Sequence, residues 1–339
     1  MRHLNLLVSN LLLPQEVSAQ LFSGLELPAL EKLLARSESS VLPGRTLEDS
    51  LCAQFSSSAV APTRAAADGL DASAGYWVCA DPVNLQLQQS QVILRPDVQC
   101  EAAEATALCA VLNAHFAEDG LTFYAPHPQR WYIHSANPSD VAFRPLRLAA
   151  WRDVKLFQPQ GAQALVWKRL SNEIQMLLHE NEINQSREAK GLPAINSLWL
   201  WGAGQSTPLS TSLDTVGGDE ALSAAFAKAS GLRVVTSMAE LLDVRGAQAC
   251  WVNTTLGTAW QRGDWHAWRD ALQALEREIA LPVWQALRSG KLQALTLEVA
   301  LDSGIFRYEL NRAGIWKVWR WPKPLSAYDV TKHSKFEGS

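Results

Sequence analysis

The stretch HENEINQSREAKGLPAINSLWLWGAG, at residues 179–204, places polar side chains at a spacing that suits anion binding. On a helix, Asn184 and Arg187 are three residues apart and therefore lie on the same face. Arg187 could then present its guanidinium fork to a phosphate or a carboxylate, with the Asn184 amide beside it. The alternative is structural, because Asn and Arg near a helix C-terminus also bond the last carbonyl groups of that helix. The spacing alone favours the structural interpretation.

The overall composition is that of a folded protein without a strong positive charge. The chain has 339 residues, of which 47% are hydrophobic and 19% are charged, and its net charge is −4. This length suits one large domain or two ordinary ones. The acidic balance argues against nucleic acid as a partner. The 14 tryptophans predict a well-filled core or groove.

The cysteines and the apolar runs bear on the cellular compartment. Five cysteines, an odd number without a C-x-x-C pair, argue against a disulfide framework and a thiolate zinc site. The N-terminal run MRHLNLLVSNLLLP is short, is interrupted by Ser9 and Asn10, and lacks a small-residue cleavage site, so it predicts a buried strand. No run is long enough to span a bilayer. We therefore expect a cytoplasmic protein without a membrane partner.

The periodicity of apolar residues predicts an α/β fold. Helices and strands alternate from a helix at 163–189 and the buried strand SLWLW (197–201) onward, which is typical of a mostly parallel sheet covered by helices. The block at 75–137 indicates strand–helix–strand, and hence an inserted α+β unit. The N-terminal strand and helix are expected to join the C-terminal sheet. The predicted domains are a first core segment (1–74), an inserted α+β lid (75–162), a second core segment (163–326) and a flexible tail (327–339).

The C-terminal segment IFRYEL-NRAG-IWKVWRW predicts a β-hairpin whose turn carries Asn311 and Gly314. Lys317, Trp319 and Trp321 would share one face and pack partly on the core. Alternating aromatic and basic side chains can also stack nucleic-acid bases, but the pattern favours an edge hairpin.

The stretch at 179–204 resembles a motif of the archaeal-type cofactor-independent phosphoglycerate mutases. That motif runs H-x-V-N-x-x-R-x-x-G-x-x-P-A-N-x-I-W-x-x-G-x-G; Ile183 stands for its Val, and Ile195 is an insertion. The segment LPALEKLLARS (27–37) and the helix after Gly263 resemble two further segments of the family, and bacterial phosphoglycerate mutase-like or regulatory proteins are more similar still. The resemblance implies an alkaline phosphatase-like α/β core with an inserted lid. The matching residues are His179, Asn184, Arg187, Gly191, Pro193, Ala194, Asn196, Trp199, Gly202 and Gly204.

The resemblance implies a reaction that needs two divalent metals, Mn²⁺ or Zn²⁺, and a serine that becomes phosphorylated. Paired metals hold the attacking and the leaving oxygens of a phosphoryl transfer, and their ligands are carboxylates and imidazoles at strand ends. The family has an L-D-G-x-G/A-D pattern after its first strand. This chain has Ser9 and Asn10 there, and no carboxylate.

Two further ligand clusters of the family are also changed. In WVNTTLGTAWQRGD (251–264), Asn253, Thr255 and Ala259 stand where the resemblance implies acids and a histidine. After the last core strand, Asp302 is not followed by the histidine of a D-H-x-T/S-P pattern. We therefore expect no metal cofactor and a degenerate, non-catalytic protein with a binding or regulatory role.

The remaining polar side chains supply the candidate binding residues. Arginines in the inserted block could attract an anionic ligand, although a salt-bridged surface explains them equally well. The expected partner is a small anion or a protein. The candidates are His179, Asn184, Arg187, Asn196, Arg130 and Arg144.

Two other hypotheses stay open. An active phosphomutase or phosphatase with relocated ligands would use two metals, with Ser9 as nucleophile and Glu298 and Asp302 as metal ligands. A purely structural partner protein would be indicated by a large exposed apolar patch around Trp316–Trp321. The further candidates under the enzyme hypothesis are Asp214, Asp219 and His179.

Overall fold

The computed structural model describes residues 1–14, 17 and 21–328. Nearly all of the predicted tail, 327–339, lies outside these residues. No helix within the described ranges is long and apolar enough to cross a bilayer.

The chain divides into two compact units. Unit 1 contains Met1–Phe55 and the chain from Ser210 onward, and unit 2 is Ser56–Leu209. The predicted insertion, 75–162, is shorter than unit 2, because the segments on both of its sides pack within unit 2.

The described residues form the following elements, in chain order. The strands are β1 (His3–Ser9), β2 (Glu38–Pro43), β3 (Tyr76–Gln88), β4 (Gln91–Arg95), β5 (Leu121–His127), β6 (Arg130–Ser135), β7 (Ser197–Gln205), β8 (Thr215–Gly218), β9 (Arg233–Val235), β10 (Gln248–Asn253), β11 (Ala294–Leu301) and β12 (Gly304–Asn311). The α-helices are α1 (Pro28–Arg36), α2 (Leu47–Gln54), α3 (Ala61–Ala67), α4 (Ala102–Phe116), α5 (Leu146–Ala149), α6 (Ala164–His179), α7 (Glu182–Ala189), α8 (Ala221–Ala229), α9 (Met238–Asp243), α10 (Thr255–Gln261), α11 (Trp265–Leu275) and α12 (Leu281–Ser289), with a π-helical turn, Glu276–Ala280, before α12.

In the described residues of unit 1, seven strands form one sheet in the order β2-β12-β11-β1-β10-β8-β9. The strands from β11 to β9 in this order are parallel, whereas β12 runs antiparallel to both β11 and β2. The N-terminal apolar run forms β1 near the middle of the sheet, where both neighbours bury it. A near-continuous apolar run is what a buried parallel strand requires, and the predicted first strand is confirmed.

The two faces of this sheet carry different contacts. Side chains alternate along a strand, so Leu4, Leu6 and Val8 share one face, where they join an apolar core with α1, α11 and α12. On the other face, Asn5 Nδ2 donates to Gln54 Oε1 of α2 at 2.9 Å. Helices therefore cover both faces, as parallel strands require.

Unit 2 is built around β3. This strand pairs antiparallel with β6, β4 and β7, and β5 pairs with β6. α4 and α6 cover one face through buried side chains such as Leu108, Trp167 and Ile174. The predicted α+β character of the insertion is therefore present in unit 2.

A buried ion pair joins α3 to this sheet. Arg64 Nη1 and Nη2 donate to the two carboxylate oxygens of Asp81 on β3, at 2.9 and 2.7 Å. Trp201 Nε1 also donates to Asp81 Oδ2, at 2.8 Å. Because the charges are paired and hydrogen-bonded, they can be accommodated away from water.

Two predicted elements differ in unit 2. The segment SLWLW was expected in the large sheet, but β7 pairs with β3 instead. The predicted helix at 163–189 is two helices, α6 and α7. The helix is interrupted at Asn181, which has an extended backbone. Asn181 Oδ1 caps α7 by accepting from Ile183 N at 2.9 Å.

The predicted C-terminal hairpin is wrong. β12 pairs with β11 through the turn that contains Asp302, and no strand follows Asn311 within the described residues. Asn311 Oδ1 accepts from Gly314 N at 2.8 Å, which favours a tight turn over a strand. Trp319 and Trp321 are 70% and 79% exposed, so they do not pack on the core.

Candidate functional site at the ends of the parallel strands

The carboxyl ends of parallel strands meet at one edge of a sheet, where α/β proteins usually bind ligands. In unit 1, β10 lies between β1 and β8, and the three strands are parallel. β1 ends at Ser9, β8 is followed by Asp219, and β10 ends at Asn253. The strand-end site is defined as Ser9, Asn10, Asp219, Asn253, Thr254 and Thr255.

Asp219 provides the carboxylate of this site, and the protein itself fills its hydrogen-bonding capacity. Oδ1 accepts from Thr254 N at 2.8 Å and from Thr254 Oγ1 at 3.1 Å. Oδ2 accepts from Thr255 Oγ1 at 2.6 Å, Thr255 N at 3.1 Å and Asn253 Nδ2 at 3.3 Å. The carboxylate therefore holds the start of α10, where free backbone N–H groups favour a negative charge.

Ser9 is completely buried and serves as a packing contact between β1 and α10. Its Oγ donates to Thr254 O at 3.3 Å and accepts from Gly257 N at 3.2 Å. A Cβ on Gly257 would lie 2.3 Å from this Oγ, so the close approach requires glycine. A serine nucleophile needs a base or a metal to activate it, and no described His or carboxylate is hydrogen-bonded to Ser9.

Asn10 occupies the position after β1 in a left-handed backbone conformation, with φ of 51°. Its N–H donates to Ala300 O at 2.9 Å, and its carbonyl accepts from Trp268 Nε1 at 3.1 Å. Asn tolerates positive φ better than most residues. This residue therefore terminates the strand and fixes α11 against it.

Of the two predicted metal ligands, Glu298 lies on β11 and Asp302 directly follows that strand. Glu298 is buried and its Oε1 accepts from Arg307 Nε and Nη2, at 2.8 and 2.6 Å. Its Oε2 is buried without a hydrogen-bond partner among the described residues. Asp302 is exposed in the turn between β11 and β12. Glu298 thus lies beside an arginine, which would repel a cation.

The other candidates of the enzyme hypothesis lie elsewhere. Asp214 precedes β8, at the opposite end of that strand from Asp219, and its Oδ2 accepts from Gln248 N at 2.8 Å. His179 is exposed in the last turn of α6, in unit 2. Of the residues suggested for catalysis, Ser9, Asp219 and Asp302 lie at the carboxyl ends of parallel strands, namely β1, β8 and β11.

These residues do not fit a pair of divalent metals. Mn²⁺ and Zn²⁺ need several carboxylate or imidazole ligands, and the strand-end site has one carboxylate, with both oxygens hydrogen-bonded. Among the described residues, no group of three or more His, Cys, Asp and Glu side chains could hold a metal ion. Burial and the nearby Glu298 raise the pKa of the Cys250 thiol on β10 to about 12.

The two candidate asparagines of the motif connect backbone segments in unit 2. Asn184 is buried; its Nδ2 donates to Leu178 O at 2.7 Å and Ile195 O at 2.9 Å, and its Oδ1 accepts from Ile195 N at 2.7 Å. Asn196 Oδ1 accepts from Leu85 N at 2.7 Å, and its Nδ2 donates to Leu85 O at 3.0 Å. Asn184 therefore joins the end of α6 to the chain before β7, and Asn196 extends the pairing of β7 with β3.

Arg187 has a similar structural environment. It is 2% exposed, and its Nη1 donates to Glu104 Oε2 on α4 at 2.7 Å. Nε donates to Pro193 O at 2.9 Å, and Nη2 donates to Gln99 O at 2.6 Å. Each nitrogen of the guanidinium has a partner within the protein, which agrees with the structural interpretation of this motif.

The two arginines proposed from the inserted block differ from each other. Arg130 Nε and Nη2 donate to the two oxygens of Asp68, at 2.8 and 2.7 Å, and Tyr132 Oη donates to Asp68 Oδ2 at 2.6 Å. Burial opposes ionisation of Asp68, but the bonds from Arg130 and Tyr132 outweigh it and lower the pKa of the carboxyl. Arg144 is exposed, and its carbonyl accepts from Trp199 Nε1 at 2.9 Å.

Sequence reasoning missed the buried pair of Arg64 and Asp81. These two residues are 17 positions apart and belong to different elements, α3 and β3. An arginine within an otherwise small and apolar helix, A-P-T-R-A-A-A, was the available signal.

Several solved structures are similar to this chain, and two of them have the following similarities. The PH0037 protein from Pyrococcus horikoshii is similar at a TM-score of 0.53 and 13% sequence identity, over 91% of this chain and 87% of that chain. The cofactor-independent phosphoglycerate mutase from Thermoplasma acidophilum DSM 1728 has a TM-score of 0.49 and 12% identity, over 96% of this chain and 94% of that chain. No protein-family model and no curated protein matches the sequence.

At these identities the likeness shows the fold alone. The predicted fold class is confirmed as a mostly parallel α/β sheet flanked by helices, with an α+β insertion.

Proposed function

We propose that this chain is a phosphoglycerate mutase-like protein that does not transfer phosphoryl groups and that acts by binding a partner. The observation that carries the proposal is the environment of Asp219, whose two oxygens accept five hydrogen bonds from Asn253, Thr254 and Thr255. A carboxylate that holds a helix start in this way would have to give up those bonds to bind a metal.

The partner that we propose is a protein. Arg130 and Arg187 were candidates for a small anion, but each forms an ion pair with a carboxylate at 2.7 Å. A guanidinium whose charge is already compensated attracts a further anion only weakly. These contacts argue against a small phosphorylated ligand at Arg130 and Arg187.

The test combines metal analysis with an activity assay on the full chain, purified without chelator. We expect less than stoichiometric Mn²⁺ or Zn²⁺ in the protein. We also expect no isomerisation of 3-phosphoglycerate and no cleavage of p-nitrophenyl phosphate when either metal is added.

Asp219→Asn and Asp264→Asn form a matched pair for this test. Asp264 also caps a helix in unit 1, since its Oδ1 accepts from Ala267 N at 2.9 Å. Metal-dependent turnover that Asp219→Asn or Ser9→Ala abolishes, and that Asp264→Asn retains, would establish the rival enzyme and overturn the proposal.

A further inference from the structure

Unit 2 contains a groove of about 430 Å³ beside β7. Its floor is formed by the four consecutive residues Ser197–Leu200. Successive side chains of a strand point to opposite faces, so a cavity on one face would touch only alternate residues. Contact with all four indicates that the groove follows the edge of the strand. We call this cavity the edge groove.

The packing around β7 agrees with this placement. Leu198 and Leu200 belong to the apolar cluster on one face of the sheet, together with Ile174 of α6. Trp199 packs in the cluster on the other face, with Val154. The edge groove therefore lies between the material that covers the two faces, and its lining includes the strand edge at Leu198 and Leu200, which are 4% and 5% exposed.

The backbone groups at this edge follow from the pairing of β3 with β7. In an antiparallel pair, alternate residues direct both N–H and C=O towards the partner strand. Leu85 on β3 directs both groups to the Asn196 side chain, beside β7. By the same alternation Pro82, opposite Leu198, points away from β7, as suits a residue without an N–H.

The backbone N–H and C=O of Leu198 and Leu200 are consequently directed away from β3. No hydrogen bond from another described residue reaches them on that side. An open strand edge is a template for pairing with another chain, and proteins usually cover or protect such edges.

The walls of the groove offer both apolar and polar contacts. Lys168, Ser171, Asn172 and Gln175 of α6 line one wall at helical spacing. Phe157 is among the aromatic residues that line the groove. An extended chain placed here would have apolar contacts for alternate side chains and hydrogen-bonding partners for the others.

The charge of the groove has one sign. Lys155 and Lys168 line it, and no carboxylate is found among its lining residues, all of which the structure describes. Lys168 is exposed at the mouth. The groove therefore favours a segment that carries acidic side chains.

We propose that the edge groove binds an extended acidic segment of a partner protein, which adds to β7 as a further strand. In this mode of recognition, main-chain hydrogen bonds provide affinity and flanking pockets select alternate side chains. Leu198 and Leu200 would provide the main-chain bonds, and Lys168 would contact an acidic side chain. The inference rests on the proposed function in that it assigns a site to the protein partner, but it does not depend on whether the strand-end site is catalytic.

The test uses the immobilised full chain and a library of random octapeptides displayed on phage. We expect enrichment of peptides in which apolar and acidic residues alternate. A synthetic copy of an enriched peptide should slow hydrogen exchange at the Leu198 and Leu200 amides. Only every second peptide N–H would face β7, so N-methylation of one alternate set of peptide nitrogens should abolish binding, whereas N-methylation of the other set should not.

Lys168→Glu and Lys190→Glu are the matched variants. Both replace an exposed lysine of unit 2 by an acid, but only Lys168 lines the groove. Lys168→Glu should weaken the acidic peptide about tenfold, the effect of turning a surface attraction into a repulsion. Lys190→Glu should leave the affinity unchanged.

Several outcomes would overturn the proposal. One is the absence of enriched peptides, and a second is equal binding to the two lysine variants. A third is binding that survives whichever alternate set of peptide nitrogens is N-methylated, or that leaves hydrogen exchange at the Leu198 and Leu200 amides unchanged. Saturable binding of dodecanoate that Lys168→Glu weakens, without any enriched peptide, would assign the groove to a small amphipathic anion instead.

Discussion

The strand-end site of unit 1 and the edge groove of unit 2 treat their polar groups in opposite ways. At the strand ends, the Asp219 carboxylate, the Ser9 hydroxyl and the Asn10 backbone all bond within the protein. Along the edge groove, the outward backbone groups of Leu198 and Leu200 have no partner among the described residues.

Under the two proposals, this difference places the capacity for an external partner at the edge groove. A site whose donors and acceptors are already bonded gains little from a ligand, because the ligand must first displace those bonds. An unpaired strand edge can form new hydrogen bonds with a ligand without losing any hydrogen bonds within the protein. The usual ligand position of an α/β protein is thus the less available of the two regions.

The largest expected effect concerns the buried ion pair of unit 2, whose charged groups are hydrogen-bonded, in contrast to the outward backbone groups of the edge groove. Asp81→Ala would leave Arg64 buried without its anion, and Trp201 Nε1 without its acceptor. We expect the free energy of unfolding to fall by about 3–5 kcal/mol. Urea denaturation followed by tryptophan fluorescence measures the change.

Asp97→Ala is the control for that substitution. Asp97 lies in the same unit but forms an exposed pair with Arg95, with 3.6 Å between N and O. Its removal should change the unfolding free energy by less than about 1 kcal/mol. Equal effects of the two substitutions would show that the buried pair does not stabilise unit 2 in solution.

The next effect sharpens the description of the strand-end site. Asp219→Ala removes the carboxylate that caps α10, and we expect a loss of about 1–2 kcal/mol in stability. Asp264→Ala, at the start of α11, should have a similar effect. A strand-end site used for metal binding would give a different result, in which the variant at Asp219 loses bound metal and the variant at Asp264 keeps it.

Much of the fold could be predicted from the sequence, because periodicity reports which faces are buried. The segments predicted as the N-terminal strand and helix correspond to β1 and α1. The choice of sheet for β7 could not be predicted, since a run such as SLWLW suits a buried strand in either unit. Strand partners depend on contacts between distant segments, such as the bond between Asn196 and Leu85.

The candidate site was predictable in composition but not in geometry. The missing carboxylate after β1 could be read from Ser9 and Asn10 alone. That Asp219 would bond to Thr254 and Thr255 could not, because these residues are more than 30 positions away from it and meet only across two neighbouring strands. The edge groove left no sequence signal, because backbone groups at an open edge belong to every residue type.

A smaller effect concerns the pH dependence of the unfolding free energy. It tests the ion pair of Asp68 in unit 2 and not the edge groove. The pKa of Asp68 lies below its ordinary value of 3.8. Burial raises this pKa, but the hydrogen bonds from Arg130 and Tyr132 lower it by more than burial raises it. Its ionised form therefore stabilises the fold above that ordinary value, and the contribution is lost as the pH falls through the lower pKa of the folded state.

Asp68→Asn should accordingly flatten the decline of the unfolding free energy between about pH 5 and pH 2. Urea denaturation at several pH values measures this slope. Asp119→Asn, at an exposed position of the same unit, is the control and should retain the wild-type slope. An unchanged slope in Asp68→Asn would mean that the bonds from Arg130 and Tyr132 do not favour the ionised form.

The smallest effect is expected at the exposed tryptophans of unit 1, which offer a third kind of open surface. Trp319 and Trp321 are open through their side chains, at 70% and 79% exposure, whereas the edge groove is open through its backbone. Replacing both by Ser should change stability by less than about 0.5 kcal/mol, because exposed side chains contribute little. The same double variant should bind the enriched acidic peptide as the wild type does. A loss of peptide binding in this variant would indicate that the peptide docks at Trp319 and Trp321 and not at the strand edge, because the variant leaves β7 unchanged.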